Sequence, residues 1–280
     1  HRVMTTLMER RRAGVLLHPS SLPGAGYCGS LGAEARQFID LIADAGLQIW
    51  QVLPLGPTHP DRCPYQLISV LACNPDLIDL QWLAQKNWLT QHEVDAGQSS
   101  PEAKRLALDL ASRQFFDQLQ SSSGTAAQYA QFLHETAYWL EDYVRFQAFR
   151  DALDRAPWTS WPAELSRCNA GACEARAQLA QPLAALRFRQ FVFHCQWNEL
   201  RDYANQRSVL LFGDIPIYVH LESADVWAHQ SLFNLDSDGH PITVTGVPPD
   251  YFSEEGQLWG NPQYNWALME ETGFEWWLQR

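Results

Sequence analysis

The sequence predicts an α/β fold built on a parallel sheet, and three features of the chain support this class. Three short runs, residues 14–19, 49–55 and 208–214, are apolar at consecutive rather than alternating positions. Strands of this kind are typical of parallel sheets that helices cover on both faces. A helical pattern separates the first two runs, which is the order of a parallel crossover unit.

Proline and glycine residues mark the ends of the strands and the helix in the first crossover, in addition to the helical periodicity. Its first strand ends at Pro19, and a helix is predicted over residues 33–45 with Gly46 as its C-cap. The second strand stops at Gly56 and Pro57. The helix face that we expect to pack on the core consists of Phe38, Leu41, Ile42 and Ala45.

The stretch between the second and third strands is predicted to be helical almost throughout, from Glu102 to Arg207, with breaks at residues 121–124 and 158–162. Aromatic stripes at helical spacing indicate faces buried in the core. These stripes comprise Tyr138, Trp139, Tyr143, Phe146 and Phe149, and further along Phe188, Phe191, Val192, Cys195, Leu200 and Tyr203. We therefore predict an α/β framework at residues 1–84 and 208–280 and a helical insertion at residues 85–207.

Composition restricts the class of partner. The formal net charge of −12 argues against nucleic acids and anionic membranes and favours neutral substrates. No apolar run approaches the length of a membrane span, and charges at residues 1–12 stand where a signal peptide needs its apolar stretch, so we expect a cytoplasmic protein. The cysteines lack the spacing of zinc or redox motifs, and we expect no metal or redox role for them. They are Cys28, Cys63, Cys73, Cys168, Cys173 and Cys195.

The segment from Gly246 to Trp266 is the most informative part of the chain. It contains five aromatic rings, a tandem pair of prolines and three glycines, which predict a long ordered loop rather than a helix or a strand. Aromatic rings beside carboxylate and amide side chains suit a sugar, which offers C–H faces for stacking and hydroxyl groups for hydrogen bonds. A loop that folds over the core and hides its own rings is the alternative, and both interpretations stay open.

Reacting groups of parallel α/β folds lie in loops at the carboxyl ends of the strands. Three segments of this chain follow predicted strands in this way: residues 18–24, residues 55–74 and the stretch that follows Asp214. We expect their polar and aromatic side chains to line one cleft. These side chains are Tyr65, Asp214, Asp250, Tyr251, Gln257 and Trp259. From residue types alone, Asp214 and Asp250 are candidates for the carboxylate pair of a glycosidase.

Other polar residues near the strand ends have simpler interpretations. His18 could act as a general base, but its place beside Pro19 favours a hydrogen-bonded structural histidine. Asp225 and Asp236 are predicted to serve in turns or as N-caps. The run that starts at Asp236 begins like a calcium loop but lacks the distal glutamate, so a turn is predicted there.

Longer motifs extend this pattern along almost the whole chain. They include Gly14-Val-Leu-Leu-His-Pro-Ser-Ser-Leu-Pro-Gly24, Trp50-Gln-Val-Leu-Pro-Leu-Gly-Pro57, Pro64-Tyr-Gln66, Ala137-Tyr-Trp-Leu-Glu-Asp-Tyr143, Gln196-Trp197, Leu200-Arg-Asp-Tyr-Ala204, Gly213-Asp-Ile-Pro-Ile-Tyr-Val219, Ser223-Ala-Asp-Val-Trp-Ala228 and residues 246–262. With these motifs in this order, the chain resembles the amylomaltases, the 4-alpha-glucanotransferases of glycoside hydrolase family 77.

The resemblance implies the N-terminal part of a (β/α)₈ TIM barrel with a large helical insertion. It implies transfer of α-1,4-glucan segments to the 4-hydroxyl of an acceptor sugar, with retention, through a covalent intermediate on an aspartate. A glutamate would act as acid and base, no cofactor or metal would take part, and α-1,4-glucans and maltooligosaccharides would be the partners. Matched to the motifs, Tyr65, Asp214 and Trp259 would contact the glucan near the reacting bond. The residues that would cover the bound chain are Asp250, Tyr251, Phe252, Gln257, Asn261 and Pro262.

The resemblance also implies what these residues lack. The family's nucleophile lies in an Arg-x-Asp-His-Phe-Arg motif past the position of Arg280, and the other catalytic carboxyl groups come later, so no catalytic residue is expected within the chain. We expect the chain alone to be inactive, and a missing C-terminal half or self-association to cover the outer edges of its first and third strands. A non-catalytic or vestigial glucan-binding fragment and one half of a split enzyme are the alternatives.

Five residues within or near the matched motifs differ from those expected for the family. They are Cys63, Leu67, His220, Glu222 and His229. Serine is usual at the first two positions and aspartate at the fourth, so polar sugar contacts would be lost at Cys63 and Leu67. The sequence leaves open how these differences change glucan binding.

Overall fold

The computed structural model describes residues 10–167 and 180–280, and the predictions for residues 1–9, Cys168 and Cys173 lie outside this range. The chain packs as two compact units. The first consists of His1–Leu55, Asn74–Ser123 and Phe188–Ile215, and the second of Gly56–Cys73, Gly124–Arg187 and Pro216–Arg280. The division into framework and insertion at residues 84 and 207 remains a prediction. None of the described helices combines the length and the apolar character needed to cross a membrane.

The first unit is built around a three-stranded parallel sheet in the order β1-β2-β3. Strand β1 is Gly14–Leu16, β2 is Ile49–Gln51 and β3 is Leu210–Phe212. Helix α1, Ala33–Asp44, lies between β1 and β2 in the chain, so the predicted crossover unit is confirmed. Strands β1 and β3 are the two edges of the described sheet.

Helices make up most of the remaining regular structure. Those after α1 are α2 (Leu80–Gln85), α3 (Gln91–Gly97), α4 (Pro101–Leu119), α5 (Ser123–Ala152), α6 (Ala163–Ser166), α7 (Ala180–Gln206), α8 (Ala224–Ala228), α9 (Trp266–Glu271) and α10 (Glu275–Gln279). Short 3-10 turns occur at Pro19–Ser21, Pro75–Leu77, Trp158–Ser160 and Gln230–Leu232. Helices α4 to α7 confirm the long helical stretch, apart from residues 168–179, which lie outside the described range. Its breaks lie at residues 120–122 and 153–162 rather than at 121–124 and 158–162.

The strands are shorter and less covered than the sequence predicts. Side chains alternate between the two faces of the sheet, and the face with Trp50 is packed. Its ring meets Phe38 of α1 at 5.0 Å between centroids, and its indole nitrogen donates to the Leu17 carbonyl oxygen at 2.8 Å. On the other face Leu16 and Phe212 are both 52% exposed. The prediction of a sheet buried on both faces is therefore wrong for the described part of the chain.

Helix α1 packs with a face that is rotated from the predicted one. Its buried residues are Ala35, Ile39 and Ile42. Steps of four and three residues place these positions on one stripe of the helix. Leu41 and Ala45 lie off this stripe and are exposed, so including them in the core face is wrong. Gly46, with a φ of 75°, follows the end of the helix as predicted.

Aromatic side chains of α5 and α8 form much of the core of the second unit. The rings of Phe146 and Phe149 lie 5.7 Å and 6.3 Å from that of Trp227. Tyr143 is buried with them, which confirms this part of the predicted stripe. Tyr138 is exposed because the helix turns it away from this stripe, so the core assignment is wrong there.

The segment predicted as a long loop forms a β-hairpin instead. Strand β4 is Val244–Val247, and it pairs antiparallel with β5, Gln257–Pro262. The register shifts between Val244 and Gly246, and a Cβ at Gly246 would lie 2.6 Å from the Gln257 carbonyl oxygen. Such a bulge breaks the alternation by which a strand is found in a sequence, so the glycines that suggest a loop in fact permit the pairing.

Candidate functional site

The tip of the hairpin, residues 248–256, is a turn held by its own side chains. The Asp250 carboxylate accepts hydrogen bonds from the backbone nitrogens of Phe252 and Ser253, each at 2.9 Å. The Ser253 hydroxyl donates to the Gly256 carbonyl oxygen at 2.7 Å. The turn presents two rings to solvent, since Tyr251 is 97% and Phe252 87% exposed. These rings are not hidden against the core.

The base of the hairpin is buried. Asn261 is only 4% exposed, and its amide nitrogen donates to the Val219 carbonyl oxygen at 2.8 Å. Tyr264, just past β5, is also buried and donates its hydroxyl to the Ile217 carbonyl oxygen at 2.7 Å. Pro262 is buried as well. In this structure Asn261 and Pro262 therefore hold the hairpin in place, and their predicted contact with glucan stays a prediction.

Trp259 lies on β5 between the exposed tip and the buried base. It is 44% exposed, and its indole nitrogen donates to the Gln257 side-chain oxygen at 3.1 Å. The ring of Tyr218 lies 6.3 Å from that of Trp259 and stacks on Tyr264 at 6.2 Å. Tyr218 is not among the site residues that the sequence predicts. The signal that marks it is an aromatic residue in the irregular segment after the third strand.

The remaining predicted contacts lie elsewhere in the two units. Tyr65 is partly exposed on a loop of the second unit, between Thr58 and Leu67, which form an isolated antiparallel bridge. Leu67 is buried against Gly56, so this side chain serves the core of the loop. Asp214 follows β3 in the first unit and is partly buried.

Two histidines meet beside the loop that carries Tyr65. The rings of His59 and His220 are 4.2 Å apart between centroids. Burial lowers the pKa of His59 to about 4, and the neighbouring His220 adds to this effect. Burial also lowers the pKa of His220, whose Nδ1 accepts a hydrogen bond from the Glu222 backbone nitrogen at 3.0 Å. Neutral rings are thus favoured at both positions.

Of the three structural roles predicted for polar residues near the strand ends, the structure confirms two and contradicts one. His18 caps the first 3-10 turn, because its Nδ1 accepts from the Ser20 backbone nitrogen at 3.2 Å, which confirms a structural histidine. Asp236 accepts from the backbone nitrogens of Asp238 and His240, each at 2.9 Å, which confirms the turn.

Asp225 differs from its prediction. Ser223, two residues earlier, is the N-cap of α8, and its hydroxyl oxygen accepts from the Val226 backbone nitrogen. The carboxylate of Asp225 is buried and accepts from the Val70 backbone nitrogen at 2.9 Å. Burial raises the pKa of Asp225 to about 6. The assignment of Asp225 to a turn or an N-cap is therefore wrong, and its role is to join α8 to the loop of Val70.

A cavity of about 500 Å³ lies within the first unit, and two of the buried polar side chains that line it are already engaged. The buried Lys104 donates to the Asp76 carbonyl oxygen. Gln196 pairs with the backbone of Asp79 through both ends of its amide, at 2.8 Å and 3.0 Å. The chemistry of this cavity thus indicates no particular ligand. Within residues 10–167 and 180–280, no three His, Cys, Asp or Glu side chains gather as a metal site.

Comparison with known proteins gives a consistent result. The family model described as 4-alpha-glucanotransferase, glycoside hydrolase family 77, matches residues 17–280. The 4-alpha-glucanotransferases of Thermus thermophilus and Synechocystis sp. are 43% and 41% identical over 281 and 286 residues, covering 98% of this chain and 56% of each relative. The chloroplastic/amyloplastic enzyme of Solanum tuberosum is 37% identical over 97% of this chain and 49% of its own length. The chain spans about half the length of the curated relatives it matches.

Solved structures agree with the sequence relatives. The amylomaltase from Streptococcus agalactiae in complex with acarbose superposes with a TM-score of 0.88 and 33% identity, over 96% of this chain and 56% of that one. The amylomaltase from Corynebacterium glutamicum has a TM-score of 0.69 at 16% identity, over 97% of this chain and 39% of its own, and shows the fold alone. This chain belongs to the 4-alpha-glucanotransferases of glycoside hydrolase family 77.

Proposed function

We propose that the protein to which this chain corresponds is a 4-alpha-glucanotransferase, which passes segments of α-1,4-glucan to the 4-hydroxyl of an acceptor sugar. Membership of the family and the names of the relatives support this activity. One structural observation carries the part that these residues play. Trp259 presents a half-exposed ring on the hairpin, with Gln257 and Tyr218 beside it.

The chemistry of this surface suits a glucose unit. The Trp259 ring offers a flat apolar area to the C–H face of the sugar, and the Gln257 amide offers hydrogen-bonding groups to its hydroxyls. Tyr251 and Phe252, exposed at the tip, would cover a bound chain and exclude water from it. Exclusion of water favours transfer to a sugar over hydrolysis, which is what a transferase requires.

We further infer that the three-stranded sheet belongs to a (β/α)₈ barrel. Support comes from its parallel neighbouring strands and from the helix that connects the first two, since a strand followed by a helix is the repeating unit of that fold. Retention of configuration needs a carboxylate nucleophile and a carboxyl acid and base. The resemblance assigns neither role to a residue of this chain, so the function proposed for the described residues is binding of the glucan.

Titration calorimetry with acarbose tests the binding surface. Trp259→Ala should weaken binding about 5- to 150-fold, which corresponds to the ~1–3 kcal/mol typical of a lost aromatic anchor. Trp266→Ala is the matched control, because Trp266 is another half-exposed tryptophan of the second unit and stacks on Trp277. Equal affinity of the two variants would contradict the proposal.

Transfer itself is measured as glucose and longer maltodextrins formed from maltotriose. Formation of both products by the protein that carries this chain supports the transferase. Release of glucose without longer products would indicate hydrolysis instead. Binding of maltoheptaose with no product from maltotriose would favour the non-catalytic glucan-binding alternative.

A further inference from the structure

The stretch of residues 216–222, called here the clamped segment, has no helix or strand of its own. Side chains from distant parts of the second unit donate hydrogen bonds to its carbonyl oxygens instead. The pairs are Arg280 to Pro216 at 2.5 Å, Tyr264 to Ile217 at 2.7 Å, Asn261 to Val219 at 2.8 Å and Trp158 to Leu221 at 2.8 Å. Since a buried carbonyl without a partner is costly, these four donors fix the path of the segment.

Trp158 holds the clamped segment at two points. Its indole nitrogen donates to the Leu221 carbonyl oxygen, and its backbone nitrogen donates to the Glu222 carboxylate at 3.0 Å. The Trp158 ring is fully buried, and Gly239 packs so closely on it that a Cβ there would come within 2.5 Å. The ring therefore cannot follow a moving segment, and it acts as a fixed support.

The clamped segment carries Tyr218. The centroid of its ring lies 6.3 Å from that of Trp259 and 6.2 Å from that of Tyr264, so the position of the segment affects what Trp259 packs against. Leu221 lies three residues beyond Tyr218, so losing its support would loosen one end of a backbone that Tyr264 and Asn261 hold at Ile217 and Val219. The half-exposed ring of Trp259 would then lose part of its packing against Tyr218.

We propose that Trp158 is a positioning residue for glucan binding: through Leu221 and Glu222 it fixes the clamped segment, and through Tyr218 it fixes the ring of Trp259. This inference rests on the proposed function of Trp259.

The test compares Trp158→Phe with Trp161→Phe. Trp161 is also buried, and its indole nitrogen donates to the Ala156 carbonyl oxygen at 2.9 Å, outside the clamped segment. Both variants lose the same kind of hydrogen bond and should lower the melting temperature similarly. Only Trp158→Phe should weaken acarbose binding, by about three- to tenfold. Equal affinity of the two variants would overturn the proposal.

A second readout does not depend on any sugar. In protein with ¹⁵N-labelled tryptophan, the indole N–H signal of Trp259 should shift in Trp158→Phe and stay in place in Trp161→Phe. An unshifted Trp259 signal in Trp158→Phe overturns the positioning role. If Trp158→Phe shifts the signal but Trp259→Ala leaves the affinity for acarbose unchanged, the positioning role is upheld. The proposed binding surface is then overturned instead.

If Trp158→Phe does not fold, Glu222 supplies the comparison. Glu222→Gln keeps an oxygen acceptor for the Trp158 backbone nitrogen and should leave both the Trp259 signal and acarbose binding unchanged. Glu222→Ala removes that acceptor and should shift the signal and weaken binding about threefold or more. Identical behaviour of these two variants contradicts the proposal.

Discussion

The two ends of the β4–β5 hairpin have similar composition and opposite environments. At the tip, Tyr251 and Phe252 are almost fully exposed on a turn that Asp250 closes. At the base, Tyr264 and Asn261 are buried, and each donates a hydrogen bond to the clamped segment. The difference teaches that the aromatic and amide residues of this hairpin divide into exposed ones, to which the proposed function assigns contact with the sugar, and buried ones, which hold the hairpin in place. Exposure, not residue type, makes the division.

The largest effect that would break this comparison concerns stability at the base. Asn261→Leu leaves the Val219 carbonyl oxygen buried without its donor, which should lower the free energy of unfolding by about 2–3 kcal/mol. Tyr251→Ala at the tip should change it by less than about 0.5 kcal/mol, since the side chain is exposed. Urea denaturation measures both, and comparable losses would contradict the division.

The next effect concerns affinity at the tip. The double variant Tyr251→Ala, Phe252→Ala should weaken maltoheptaose binding by about 1–2 kcal/mol, because two rings that would cover the sugar are lost. Its melting temperature should match that of the parent protein. Calorimetry on both proteins checks this, and unchanged affinity would mean that the exposed rings serve another purpose.

The smallest expected effect is on the pH dependence of stability, and it concerns a third region, the loop that carries Tyr65. The pKa of His59 is lowered to about 4 by burial, below its ordinary 6.5. The unfolded chain therefore binds the proton first, so the stability contribution is present above pH 6.5 and is lost as the pH falls towards 4. Between pH 7 and pH 5 we expect a loss of about 1 kcal/mol, after allowance for the partial exposure of the ring.

His59→Gln should reduce the slope of unfolding free energy against pH between pH 7 and pH 5, leaving the part that the other buried histidines contribute. His134→Gln is the control, because His134 is exposed on α5. The opposite sign applies to Asp225, whose pKa is raised to about 6 by burial, so its contribution is lost as the pH rises through 6. Measuring the unfolding free energy of Asp225→Asn against pH separates the contribution of Asp225 from that of His59.

The sequence predicts the local elements of the fold well and their environment poorly. The crossover of β1, α1 and β2 follows from periodicity and from Gly46, which are local properties. The buried face of α1 and the exposure of Leu16 depend instead on packing partners that are distant in the chain. The hairpin is missed because its bulge at Gly246 resembles a loop when only the order of residues is visible.

The candidate site shows the same limit. Motifs identify Trp259 and Gln257, and the structure places them in contact at 3.1 Å. Nothing local distinguishes Tyr251 from Tyr264, although one is exposed and the other buried. Tyr218 and Trp158 are missed because their importance lies in hydrogen bonds and ring contacts to segments far away in sequence.

The turn at the tip also bears on the entropy of binding. Hydrogen bonds from the backbone of Phe252 and Ser253 to Asp250, and from Ser253 to Gly256, are formed before any ligand arrives. Ordering a backbone costs about 1–2 kcal/mol per residue, and here that cost is met during folding. A sugar that reaches the tip would have only side-chain rotamers to restrict, so association should be fast and its entropy change small for a surface made of a turn.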